Sequence, residues 1–114
     1  MSYPKVKIFN STNFIASGKA HYMSIFCSDD SYVVTPGTGW EADSRGVCLL
    51  TKITATVKTP EGEVVAKPYT STGTSYSNFA VIQTGAKSFA VTRIVTLSED
   101  PLPEDYAEPT EQQK

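Results

Sequence analysis

Residues 49–58 alternate without interruption. Leu49, Thr51, Ile53, Ala55 and Val57 fall on one side, and Leu50, Lys52, Thr54, Thr56 and Lys58 on the other. Side chains on a strand point to opposite faces in turn, so this pattern predicts a half-buried β-strand with one packed and one wet face. Its length and central position make it an inner strand. A helix would need apolar residues at three- and four-residue spacing, a pattern that no stretch of the chain carries.

Shorter alternations surround it. Residues 5–9 set Val6 and Ile8 opposite two lysines and read as a first strand at a sheet edge, where lysine discourages pairing with other chains. The side chains of Asn10, Ser11, Thr12 and Asn13 compete with ladder hydrogen bonds and predict a turn. Over residues 14–27 a second strand has two faces of nearly equal apolarity towards its end. That predicts burial on both sides, or a bulge that switches the register, with Gly18 as a point of interruption. Residues 28–31 turn into a short strand at 32–35, and Pro36 and Gly37 occupy the positions where a type II turn requires them. Residues 38–46 are the least regular and read as a loop. A hairpin turn at 59–63 leads into a strand at 64–67 that Pro68 ends. Residues 70–77 read as a polar loop. Residues 78–84 and 88–96 form a closing hairpin whose two Phe-Ala-Val runs would stack aromatic and β-branched partners.

About seven short strands with frequent turns predict an all-β fold. The expected architecture is a single-domain antiparallel two-sheet β-sandwich, immunoglobulin-like or lectin-like, over residues 1–96, with a small barrel as the second choice. The net charge of −2 is unevenly spread: residues 1–96 hold nine basic and six acidic side chains, and residues 97–114 hold six acidic ones and Lys114. With Pro101, Pro103 and Pro109 in it, that acidic C-terminal segment is expected to be a disordered or extended tail. The basic residues are scattered, which argues against nucleic acid as a partner. No apolar run approaches the ~20 residues of a transmembrane helix. The first residues lead straight into a strand pattern, so no signal peptide is expected and the location is cytoplasmic or non-classically secreted.

Cys27 and Cys48 are either two half-buried thiols or a disulfide, and without a signal peptide the reduced pair is the expected state. Alone they cannot make a zinc site, which takes four ligands. Asn10-Ser11-Thr12 matches the N-glycosylation acceptor pattern. His21 is the single histidine, and no nucleophile-elbow, zinc-protease or phosphate-loop motif is present. His21 and Cys27 would lie roughly 20 Å apart on a straight strand, beyond hydrogen-bond reach. The chain therefore reads as non-enzymatic.

The residues suited to binding sit in turns. Asp29 and Asp30 could contribute to a calcium site, but calcium takes six to eight oxygens and no Asp-x-Asp-x-Asp series follows, so no cofactor is expected. Trp40 lies among glycines and polar residues, either as a core anchor or as an exposed platform. Beside it, Asp43 offers acceptors and Arg45 a planar fork of donors, while an aromatic face can stack on a sugar or cover a lipid headgroup. A surface ion pair is the plainer role for those two charges. Tyr76 and Asn78 border the Ser/Thr-rich loop, a makeup shared with adaptable binding loops. Together these residues predict a small lectin- or haemagglutinin-like module with a glycan as partner. Two alternatives stand beside it. One is a lipid-binding or lytic sandwich that inserts Trp40 and Tyr76. The other is a structural or protein-interaction domain working through its acidic tail or a sheet edge, the latter also a route to homo-oligomers.

Overall fold

The computed structural model describes residues 3–23, 27–43 and 46–94, and these form ten strands. In chain order they are β1 (Lys7–Asn10), β2 (Ile15–Tyr22), β3 (Asp30–Val34), β4 (Gly39–Glu41), β5 (Leu50–Ile53), β6 (Thr56–Thr59), β7 (Gly62–Val65), β8 (Tyr69–Thr74), β9 (Asn78–Gly85) and β10 (Ser88–Arg93). The acidic segment 97–114 and Arg45 lie outside the described residues.

The expectation of an all-β chain in two sheets holds, with more strands than the seven anticipated. The larger sheet is antiparallel and built on β2, which pairs β3 along one side. Along the other side, β6 pairs its first half and β5 its second. β7 extends β6 and β8 extends β5, so the sheet fans out and curls into a half-barrel. The smaller sheet has the order β10-β9-β1-β4 and is mixed, because β1 runs parallel to β9. The wholly antiparallel arrangement is thus corrected. So is the edge position of the first strand: β1 lies between β9 and β4, and Lys7 is exposed on its outward face.

The long alternation becomes two strands because of a glycine in its neighbour. A Cβ at Gly18 would collide with the Thr54 carbonyl, so its absence lets the chain press against β2 between β5 and β6. There the Thr54 N–H donates to Lys19 O at 2.9 Å, and the Lys19 N–H donates to Thr54 Oγ1 at 3.1 Å. Alternation runs unchanged through the break, with Ile53, Ala55 and Val57 all buried, and Leu50, expected on the wet side, joins them because the register shifts between Leu50 and Lys52. The bulge expected late in the second strand is present, as a register shift between His21 and Tyr22.

Residues 38–46, expected as a loop, contain β4, which pairs with β1. Residues 70–77 are also corrected. Most of them lie in β8, and Gly73, Thr74, Ser75, Tyr76 and Ser77 are all buried. Their polarity does not forbid this, since the Thr74 hydroxyl accepts from the Tyr76 N–H at 3.0 Å and Ser77 O accepts from the Lys7 N–H at 2.7 Å. In the closing hairpin Val81 faces Val91, while Phe79 and Phe89 stand opposite Arg93 and Gln83.

The two sheets meet along one seam through Lys67, whose N–H donates to Phe89 O at 2.9 Å and whose carbonyl accepts from the Val91 N–H at 2.8 Å. The opposite seam, between β3 and β4, is filled by side chains. The Tyr32 and Trp40 rings lie 5.6 Å apart, and the Tyr32 hydroxyl donates to Thr54 O at 2.6 Å. Burial pushes the Tyr32 hydroxyl well above the usual phenol range.

Asn10 ties the corner where β1 leaves for β2. It is fully buried. Its amide donates to Phe14 O at 2.7 Å and to Val34 O at 3.0 Å, while Oδ1 accepts from the Thr12 N–H at 2.9 Å and the Thr12 hydroxyl at 2.7 Å. Its backbone N–H donates to Thr38 O and its carbonyl accepts from the Gly37 N–H. The glycosylation reading of this residue is therefore corrected, because both amide hydrogens are engaged inside the fold. Gly37 takes the positive φ, 74°, that the Pro36-Gly37 turn requires.

Cys27 and Cys48 form a disulfide across Cα atoms 6.2 Å apart, in place of the reduced pair expected. The fold brings their two connections side by side, with the Met23 N–H donating to Leu49 O at 2.9 Å. Closing a loop of this size contributes about 3 kcal/mol in the chain-entropy treatment.

Candidate functional site

Of the seven residues expected to bind, the six described ones do not converge on one centre. Asp29 Oδ2 lies 2.8 Å from His21 Nδ1, and Asp30 Oδ2 accepts from the Tyr22 hydroxyl at 2.7 Å. The two carboxylates are thus held by different side chains. Among the described residues no three His, Cys, Asp or Glu side chains group in a way that could hold a metal ion. Tyr76 is 6 % exposed, and the Arg93 guanidinium carbon sits 3.3 Å from its ring centroid. Asp43 is exposed just beyond β4, and its neighbour Arg45 is outside the described residues. Trp40 pairs across from the buried Ile8, and its half-buried ring packs on the core beside Tyr32. Asn78 opens β9, half-buried, with its carbonyl accepting from the Ile94 N–H at 2.8 Å.

Trp40 and Asn78 nonetheless border one groove. It has a volume of about 370 Å³, and Lys7, Phe9, Gly39, Glu41 and Ile94 are also part of its wall. Its floor follows from strand alternation. On β1, Val6, Ile8 and Asn10 point inward and are fully buried, so Lys7 and Phe9 must point out. The pairing with β4 sets Lys7 opposite Glu41 and Phe9 opposite Gly39, and the pairing with β9 sets Lys7 opposite Asn78 and Phe9 opposite Ala80. Two rows therefore cross three adjacent strands on the outer face. One is Glu41, Lys7 and Asn78, all polar. The other is Gly39, Phe9 and Ala80, an aromatic between two small residues.

Phe9 keeps 42 % of its surface exposed. Its ring lies beside Gly39, where an added methyl group would stand 3.8 Å from Phe9 Cδ1. Gly39 places no side chain on its side of the ring, so that part of the surface is open to an approaching group, while Ala80 on the other side is buried. The polar row beside it supplies a carboxylate, an ammonium and an amide, covering acceptor and donor chemistry together. The sequence carried a signal for this residue: residues 5, 7 and 9 share the lysine face, which places Phe9 in solvent.

A larger groove of about 710 Å³ lies between the β6–β7 turn and the β9–β10 turn, lined by Phe14, Pro60, Val64 and Ala86 among others. There Lys87 Nζ sits 3.3 Å from Glu61 Oε1, and both side chains are more than two-thirds exposed. That pair is matched and largely solvated, and Glu63, also exposed, is the one other charge among the groove's lining residues. The Phe9 groove has the stronger chemical claim. Comparison with protein-family models, with curated proteins and with solved structures finds no match to this chain.

Proposed function

We propose that this chain is a non-catalytic saccharide-binding domain, lectin-like in its two-sheet architecture, whose ligand lies on the outer face of the mixed sheet. The apolar face of a sugar ring stacks on Phe9, and its hydroxyls bond Glu41, Lys7 and Asn78. The observation that carries this reading is the half-exposed Phe9 ring between Gly39 and Ala80, one row from three polar side chains. An aromatic surface with a few convergent polar groups is the usual makeup of a small-molecule site. Architecture alone argues nothing about the ligand, since sandwiches serve many functions. Hydrolysis of a glycosidic bond ordinarily takes two carboxylates, and Glu41 is the one carboxylate among the groove's lining residues. This supports binding without cleavage. The lipid reading draws less support, because Tyr76 is buried and Trp40 packs on the core.

The Cys27–Cys48 bridge supports an oxidising compartment, and so the non-classically secreted alternative over the cytoplasmic one.

Glycan-array screening followed by titration of the hits tests the proposal. Phe9→Ala is expected to weaken saccharide binding about tenfold or more, the equivalent of losing ~1.4 kcal/mol of stacking. A screen without hits, or hits that Phe9→Ala leaves unchanged, would overturn it.

A further inference from the structure

The exposed edge of β3 is built for pairing with another strand. β2 alternates in the direction of its backbone groups, and the Lys19 N–H and C=O both bond Thr54, on the side away from β3. Its ladder partner Ser31 is therefore not hydrogen-bonded to Lys19, and the Ser31 N–H and C=O point away from β2. The same parity applies at Val33, which faces Ser17. Ser31 and Val33 thus present a donor and an acceptor each along the outer edge, where β3 has no ladder partner among the described strands.

The other edges are guarded. Lys67 seals β10, β8 runs beside β10, and β4 is three residues long. β7 carries Glu63 and follows a turn holding Glu61. β3 meets β4 only through side chains, with the Tyr32 and Trp40 rings 5.6 Å apart and no ladder between the two strands. It holds no lysine or proline, its one charge, Asp30, is hydrogen-bonded to Tyr22, and Val33 is 67 % exposed. An unguarded edge of this kind is a template for another strand.

We propose that the partner is a second copy of this chain, joined through β3 to β3 in antiparallel pairing about a two-fold axis at Tyr32. The choice rests on self-complementarity. With the axis at Tyr32, Ser31 of each copy faces Val33 of the other, and every outward backbone group on both residues finds a partner. The next pair along places Asp29, already held by His21, against Thr35, so no like charges meet. Pairing stops at the Pro36-Gly37 turn, where Thr35 O already accepts from the Thr38 N–H at 3.2 Å. On the outer face, Val33 and the diagonal neighbour Ile15, 42 % exposed, bring apolar surface to the junction from each copy. The two half-barrels become one continuous sheet, with the Phe9 face left uncovered. A short edge contact of this kind makes a dimer that dissociates on dilution.

Sedimentation equilibrium combined with amide hydrogen exchange tests the pairing. The chain should move from 12.4 kDa towards twice that mass as concentration rises, with Ser31 and Val33 amides gaining protection in step. Val33→Pro removes the outward N–H without touching the ladder to β2, and Val33→Lys adds a charge at an already exposed position. Both variants should stay monomeric with an unchanged circular dichroism spectrum. A chain that remains monomeric to millimolar concentration would refute the inference, as would a dimer that survives both variants or leaves Ser31 and Val33 unprotected.

Discussion

Phe9 and Asn10 are neighbours on β1, and each sits where the other's chemistry would place it. The amide is fully buried and the aromatic ring is 42 % exposed. What separates them is closure of hydrogen bonds. Both donors and both acceptor sites of the Asn10 side chain are engaged by Phe14, Val34 and Thr12, so burial leaves nothing unmet. Phe9 has no such closure to make, and alternation on β1 leaves its ring facing outward. Burial in this fold follows satisfaction of polar groups as much as it follows polarity. The same rule buries Thr74 and Ser77 in a segment that composition assigns to the surface.

The strongest way to break the comparison is Asn10→Ala, which removes the four hydrogen bonds of the Asn10 side chain and leaves the Thr12 N–H without its acceptor, while Phe14 O keeps the Thr12 hydroxyl. At about 1 kcal/mol net for each bond, a loss of about 4 kcal/mol is expected. Urea unfolding followed by circular dichroism measures it, and a loss below about 1 kcal/mol would mean that the corner is not held by this network.

Reducing the Cys27–Cys48 bridge should cost about 3 kcal/mol through the unfolded chain rather than through the corner. The amides of Thr12, Phe14 and Gly37 are therefore expected to keep their exchange protection after reduction. Alkylation of the protein without prior reduction should modify neither thiol. The smallest effect belongs to Phe9→Ala, expected to lower stability by about 1 kcal/mol or less because much of the ring is already in solvent. Its fold should be unchanged even where ligand binding is lost.

The period-two pattern was legible wherever strands are flanked by turn residues. The Pro36-Gly37 turn could be read directly, and so could the strand at residues 5–9 and the closing hairpin. The interior place of that strand and the register of that hairpin, which sets Phe79 and Phe89 opposite Arg93 and Gln83, could not be. The split of the central strand could not, because its cause is Gly18 on a neighbouring strand, and alternation within one segment is blind to what its partner lacks. The disulfide was equally hidden, since two cysteines fit several states until the fold sets their connections together. In the site, glycines and polar neighbours around Trp40 suggested a loop. The register with β1 instead made it a strand whose ring packs on the core. Phe9 was readable from the lysine face it shares, but nothing in the sequence said that β9 would lie alongside and contribute Asn78, which depends on a parallel pairing over some seventy residues.

The most direct test is an amide NMR titration of the oxidised, full-length chain with the saccharide that binds best on an array. Binding to the proposed face predicts that the largest shifts fall on Lys7, Phe9, Gly39, Glu41 and Asn78, with the hairpin-tip residues Glu61 and Lys87 unmoved. Shifts centred on Glu61, Val64 and Lys87, with the β1 outer face silent, would contradict it.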